Sequence, residues 1–243
     1  MTDKADALAG KWVLITGAAK RIGRVTALKL HEAGANIAVH YFTSSGDADE
    51  LVEQLNAERA NSAFSIGGDL RESERLAQLV DEVVERAGRL DVLINNASTF
   101  YPTPLGKVTE DDWTDLIHSN LKAPLFLSQA ALPHLQAARG CIVNIVDIHA
   151  QRPLRDHPVY GAAKAGLAML TRSMAKDLAP EIRVNGISPG AILWPDDGMP
   201  DNVKQSILRQ VPLARAGEPD DIANTVLFLV RDAPYITGQI IAV

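Results

Sequence analysis

Short apolar runs rich in β-branched residues alternate with longer segments of helical periodicity along this chain, and that alternation limits the fold more than any other feature. The runs are Trp12-Val13-Leu14-Ile15, Ile37-Ala38-Val39, Ala63 to Ile66, Val92-Leu93-Ile94, Ile142 to Val146, Arg183-Val184-Asn185 and Ile240 to Val243. Helix-like stretches fall between them at 20–33, 47–60, 73–87, 110–137, 158–178 and 219–230. In the third, Leu76, Leu79, Val80, Val83 and Val84 recur at the three-and-four spacing of one buried face. Strands that are apolar throughout and separated by helices predict a parallel sheet covered on both sides. The expectation is one doubly wound α/β domain over residues 1–243, with no repeat or interdomain linker.

Composition narrows the setting. With 243 residues, 47% of them hydrophobic, the chain is long enough to bury one large core without staples. The formal net charge is −6, and no basic face suited to nucleic acid is visible. No run approaches a membrane span, and the opening MTDKADALAG has no apolar signal core. The one cysteine, Cys141, lies in an apolar run and reads as a small buried hydrophobe in a reducing compartment. A cytoplasmic location is expected.

The first strand runs into Thr16-Gly17-Ala18-Ala19-Lys20-Arg21-Ile22-Gly23 and then a helix. A glycine turn at a helix start lets backbone N–H groups approach a pyrophosphate, with the helix dipole favouring the charge. After the second strand comes Val39-His40-Tyr41-Phe42-Thr43-Ser44-Ser45, with no acid before Asp47 to hold a ribose 2′-hydroxyl. Lys20, Arg21 and Arg24 cluster at the turn, so NADPH is expected rather than NADH, although Lys20 and Arg24 also fit as solvated helix charges.

Tyr160 and Lys164, four residues apart, share one face of a helix. An ammonium close to a phenol favours the tyrosinate, and such a phenol can protonate an atom that has just received a hydride. The spacing alone is unspecific; its company gives it meaning. The pair follows a buried strand ending at Val146-Asp147, Asn95-Asn96-Ala97-Ser98 ends the fourth strand, and Asn120 lies in the next helix. Segment 189–217, rich in Pro and Gly, emerges at the same edge and fits either a substrate lid or an inert surface loop.

With these residues the chain resembles the short-chain dehydrogenase/reductase family over its whole length. The resemblance rests on the glycine turn, Asp69, Asn95-Asn96-Ala97, Asn120, Tyr160/Lys164 and Ser188-Pro189-Gly190. It implies a Rossmann fold with seven parallel strands in the order 3-2-1-4-5-6-7, and a homotetramer. It also places Gly17, Lys20, Arg21 and Ile22 at the phosphates, Asp69-Leu70 on the adenine, and Asn96, Ala97 and Ser98 along the cofactor. Lys164 falls on the nicotinamide ribose, and Pro189-Gly190 against the nicotinamide. The family's usual Asp-Gly-Gly after the last strand is not within the chain, which ends at Val243.

One departure narrows the resemblance further. Asp147 stands where most members have serine, alongside His40-Tyr41 and the string Asn95-Asn-Ala-Ser-Thr-Phe100-Tyr-Pro-Thr-Pro104. This combination is similar to the pteridine reductase branch, and implies Asp147, Tyr160 and Lys164 as the catalytic set. It implies Phe100 stacking on a pterin, Ser98 as a polar pterin contact, and Arg21, His40 and Ser44 at the 2′-phosphate. Phe42-Thr43 occupy places where that branch often has a basic residue. Trp194 is a further substrate-side candidate; simple packing explains it equally.

The aspartate has a physical consequence. A carboxylate beside a phenol opposes tyrosinate formation, so Asp147 and Tyr160 are expected to share one proton over a wide pH range. That suits reduction of a C=N bond, whose nitrogen takes the proton. His149 and His157 flank the region without metal-ligand spacing to His31, His118 or His134, so no zinc site is predicted. Arg152 and Arg155 read as surface charges. Two other readings stay open: a carbonyl reductase of the same fold, such as a 3-oxoacyl reductase, and a catalytically inactive NADP-binding sensor.

Overall fold

The computed structural model describes residues 7–193 and 198–243. Seven parallel strands form one sheet in the expected order, β3-β2-β1-β4-β5-β6-β7. They are β1 Trp12–Ile15, β2 Asn36–Tyr41, β3 Ala63–Gly67, β4 Val92–Asn95, β5 Cys141–Ile145, β6 Arg183–Ser188 and β7 Ile240–Ala242. Strand β1 pairs with both β2 and β4, so the chain direction across the sheet reverses there and a crevice opens at the carboxyl ends.

The helices are α1 Arg21–Glu32, α2 Ser45–Glu58, α3 Arg75–Ala87, α4 Glu110–Ile117, α5 Ala123–Ala138, α6 Pro158–Asp177, α7 Asp201–Leu208 and α8 Pro219–Leu227. Alternation along β1 separates two core layers. Val13 and Ile15 pack with Leu30, Leu51, Leu55, Ile222 and Val226 on one face. Leu14 turns to the other, with Leu79, Val80, Val83, Leu127 and Leu135. None of the helices among the described residues is long and apolar enough to cross a membrane.

Stretch 110–137, expected as a single helix, is two helices joined through a π-helical turn, His118–Lys122. Thr109 caps α4 and closes a capping box with Asp112. The widened turn carries Asn120, which is fully buried. Such turns break the backbone ladder locally and collect at functional sites. Segment 189–217 contains α7, and Gly217 N donates to Ala191 O at 2.9 Å, tying together the two ends of the excursion.

Candidate active site

The glycine turn is built by close backbone approach. Gly17 has φ +62°, a conformation open to glycine. A Cβ on Gly23 would stand 2.3 Å from Gly17 O and 2.7 Å from Asn96 Nδ2, so nothing larger fits. Asn96 Nδ2 donates to Thr16 O and Gly17 O, while Thr16 Oγ1 accepts from the backbone N–H groups of Asn96 and Ala97. The end of β4 thus fixes the turn after β1.

His40, expected at the 2′-phosphate, has both ring nitrogens engaged inside the protein. Gly17 N donates to Nδ1 at 3.2 Å, which leaves the ring proton on Nε2, facing Gly68 O at 3.1 Å. Burial lowers its pKa to about 4, so the ring is a neutral brace of the glycine turn and not a phosphate cation. Lys20 lines the cavity along the turn, and its ammonium meets Asp47 at 2.9 Å. Both partners are well exposed, and such a surface pair is weak enough for a bound phosphate to displace. Arg24 donates to Glu50 and Gln54 and is not part of the cavity lining.

A cavity of about 410 Å³ opens along the turn, lined by Gly17, Arg21, Ile22, Asp69, Leu70, Asn96, Ala97 and Ser98 among others. No side chain caps α1, so its first-turn amides are available to an anion. Glycines that admit no side chain, an uncapped helix N-terminus and an elongated crevice at the strand reversal fit a dinucleotide. Arg21 also lines the cavity, in a left-handed conformation with φ 54° where a glycine would be easier. Tyr41 and Ser44 are not part of this wall: the Tyr41 ring packs over Gly67, and Ser44 sits at the start of α2.

Arg71, which no motif singles out, also lies on the cavity wall. Its guanidinium binds the Asp69 carboxylate at 2.7–3.0 Å, reaches Asp115 at 3.1 Å and stands 5.1 Å from the centre of the Phe42 ring. The Arg71 hydrogen bonds hold Asp69 below the usual carboxylate range. The only hint was its place two residues beyond the adenine candidate Asp69.

Beyond the inner end of the cavity lie the chemical groups. The Tyr160 hydroxyl donates to Asp147 Oδ2 at 2.7 Å, and Asp147 Oδ1 accepts from His149 N at 2.8 Å. Burial first, then the Asp147 charge, push the Tyr160 phenol far up, so it stays protonated. The Asp147 charge acts on the phenol where no effect of the Lys164 ammonium does, in the direction expected of a carboxylate that opposes tyrosinate formation. The Lys164 ammonium is 5.7 Å from the Tyr160 ring centre and donates to Ile145 O at 2.9 Å. Burial lowers Lys164 itself to about 8.

Helix α6, which carries this pair, is pinned by a buried chain that sequence reasoning missed. Asn95 Nδ2 donates to Asn144 Oδ1 at 2.8 Å, and Asn144 Nδ2 to Thr171 Oγ1 at 2.9 Å. Ser98 Oγ donates to Asn120 Oδ1 at 2.6 Å. Pro189 O accepts from Ile148 N at 3.2 Å, bringing the end of β6 beside Asp147, and Gly190 N donates to Val243 O. Phe100 lies edge-on to Tyr160 with ring centres 4.8 Å apart, and stacks on His157 at 4.7 Å. Trp194 lies outside the described residues.

A dinucleotide crevice beside a protonated tyrosine and a buried lysine defines an oxidoreductase. A family model described as enoyl-(acyl carrier protein) reductase matches residues 17–243. The 3-oxoacyl-[acyl-carrier-protein] reductase FabG of Staphylococcus aureus is 40% identical over 237 residues, covering 96% of each chain. Pteridine reductase 1 of Leishmania tarentolae is also 40% identical, over 271 residues, covering 95% of this chain and 93% of that protein. FabG of Thermotoga maritima is 33% identical over 240 residues. The chain belongs to the short-chain dehydrogenase/reductase family, whose reductases use NAD(P)H.

Proposed function

We propose that this chain is an NADPH-dependent pteridine reductase that reduces a C=N bond of a pterin or dihydropterin. The observation that carries the reading is the 2.7 Å hydrogen bond from Tyr160 to Asp147, with Phe100 edge-on to the same tyrosine. Bound NADPH supplies the hydride. Gly17, Arg21, Asp69, Leu70, Asn96 and Ala97 would hold it along the cavity they line, and Lys164, Pro189 and Gly190 would meet its nicotinamide end, as the family resemblance implies. The Tyr160 phenol gives its proton to the ring nitrogen, and Asp147 accepts hydrogen bonds, keeps the phenol protonated and passes on the replacement proton from solvent. Phe100 and Ser98 orient the flat substrate. The same reading takes a homotetramer, which sedimentation equilibrium tests.

A 3-oxoacyl reductase is the second reading, favoured by 40% identity to the S. aureus FabG. NADPH oxidation measured with dihydrobiopterin, dihydrofolate and an acetoacetyl thioester separates the two. The pteridine reading expects the pterin to have the highest kcat/KM; preference for the thioester overturns it. Tight NADPH binding with no turnover of any of them would leave only a sensor.

A further inference from the structure

Phe100 leaves the end of β4 in an irregular loop and is half exposed, so nothing in its own backbone fixes the ring. Two partners do so. The ring lies nearly parallel to the His157 imidazole, at 14° with centres 4.7 Å apart, and at 79° to the Tyr160 ring. The stack on His157 occupies one face of the phenyl ring.

His157 is itself held in place. Its Nδ1 donates to Arg155 O at 2.7 Å, and it occupies the residue before α6, where Pro158 starts the helix. Asp156 adopts a left-handed conformation, φ 61°, and its carbonyl accepts Thr103 N at 2.6 Å. The loop bearing Phe100 and the turn bearing His157 are therefore joined twice, once by backbone and once by stacked rings.

We propose that His157 is a positioning residue that acts through Phe100, setting the angle of the phenyl platform that receives a flat heteroaromatic substrate. The inference rests on the pteridine reading for the identity of that substrate. The imidazole matters here as a flat plate, not as a proton donor. An aromatic ring at 157 can replace it; an aliphatic side chain cannot.

The test uses the full-length enzyme with NADPH and dihydrobiopterin, in His157→Ala, His157→Phe, Phe100→Ala and the His157→Ala/Phe100→Ala double variant. His157→Ala should raise KM for dihydrobiopterin about tenfold while kcat changes less than about threefold, as loss of one stacking contact implies. His157→Phe should return KM to within about threefold of the wild type. The second substitution in the double variant should add nothing to Phe100→Ala.

Crystal structures of the two His157 variants provide a readout free of substrate: the Phe100 ring should leave its position in His157→Ala and keep it in His157→Phe. An unmoved ring in His157→Ala, an equal defect in His157→Phe, or additive effects in the double variant would each overturn the proposal. If the wild type reduces no dihydrobiopterin, the pteridine reading fails, and the ring positions still decide whether His157 sets Phe100.

Discussion

Asp147 Oδ2 accepts the Tyr160 hydroxyl at 2.7 Å while Asp147 Oδ1 accepts the backbone N–H of His149 at 2.8 Å. The carboxylate is thus fixed by a backbone turn at the end of β5, and its free oxygen is aimed at the phenol. Carboxylate and burial together keep the tyrosine a proton donor.

A pH profile follows with a defined sign. Tyr160 is raised, so it remains protonated through neutral pH, whereas Lys164, lowered to about 8 by burial, loses its charge as pH rises through that value. The kcat/KM for the physiological substrate should be level in the acid-to-neutral range and fall above about pH 8. Asp147→Ser removes the charge that partly holds Lys164 up, and should move the alkaline limb to lower pH and lower kcat by about 10²-fold. An unmoved profile would contradict the coupling.

His40 predicts a loss of stability in mild acid. Its pKa is lowered from 6.5 to about 4 in the folded protein, so the unfolded chain binds the extra proton first as pH falls. The native state should lose about 2 kcal/mol between pH 7 and pH 5 from this group. Asparagine can both accept from Gly17 N and donate to Gly68 O. Urea unfolding of His40→Asn at the two pH values should show a smaller loss than the wild type.

Gly23→Ala places a methyl group 2.3 Å from Gly17 O. The turn must shift, costing about 1–3 kcal/mol of stability. NADPH affinity should fall with it, as calorimetric titration and a thermal melt of the same sample will show.

Arg71→Ala leaves Asp69 and Asp115 without their shared cation on the cavity wall. Bared carboxylates repel the more highly charged dinucleotide more strongly. The dissociation constant for NADPH should rise about tenfold, and that for NADH less, in fluorescence titrations of the two.

The strand–helix alternation carried the covered parallel sheet because apolar runs buried on both faces have few other solutions, while the strand order came with the family resemblance. Asp147, Tyr160 and Phe100 could be found as well, through residue types at family spacing, and the structure brings them together. Other relationships left no local trace. The π-helical turn at Asn120 interrupts a stretch whose apolar periodicity runs on through it. His40 looked like a phosphate ligand because its two partners, Gly17 and Gly68, come from distant turns that only the folded sheet places around it. Lys20 meets Asp47 for the same reason, and the Phe100–His157 stack joins loops 57 positions apart.

The most direct test of the central claim is a crystal structure of the enzyme with NADPH and an antifolate. The account predicts the bicyclic ring lying against Phe100 on one face and the nicotinamide on the other, with a ring nitrogen about 3 Å from the Tyr160 hydroxyl or the Asp147 carboxylate. A ring bound away from Phe100, or an Asp147 carboxylate released from Tyr160 and turned to solvent, would contradict it.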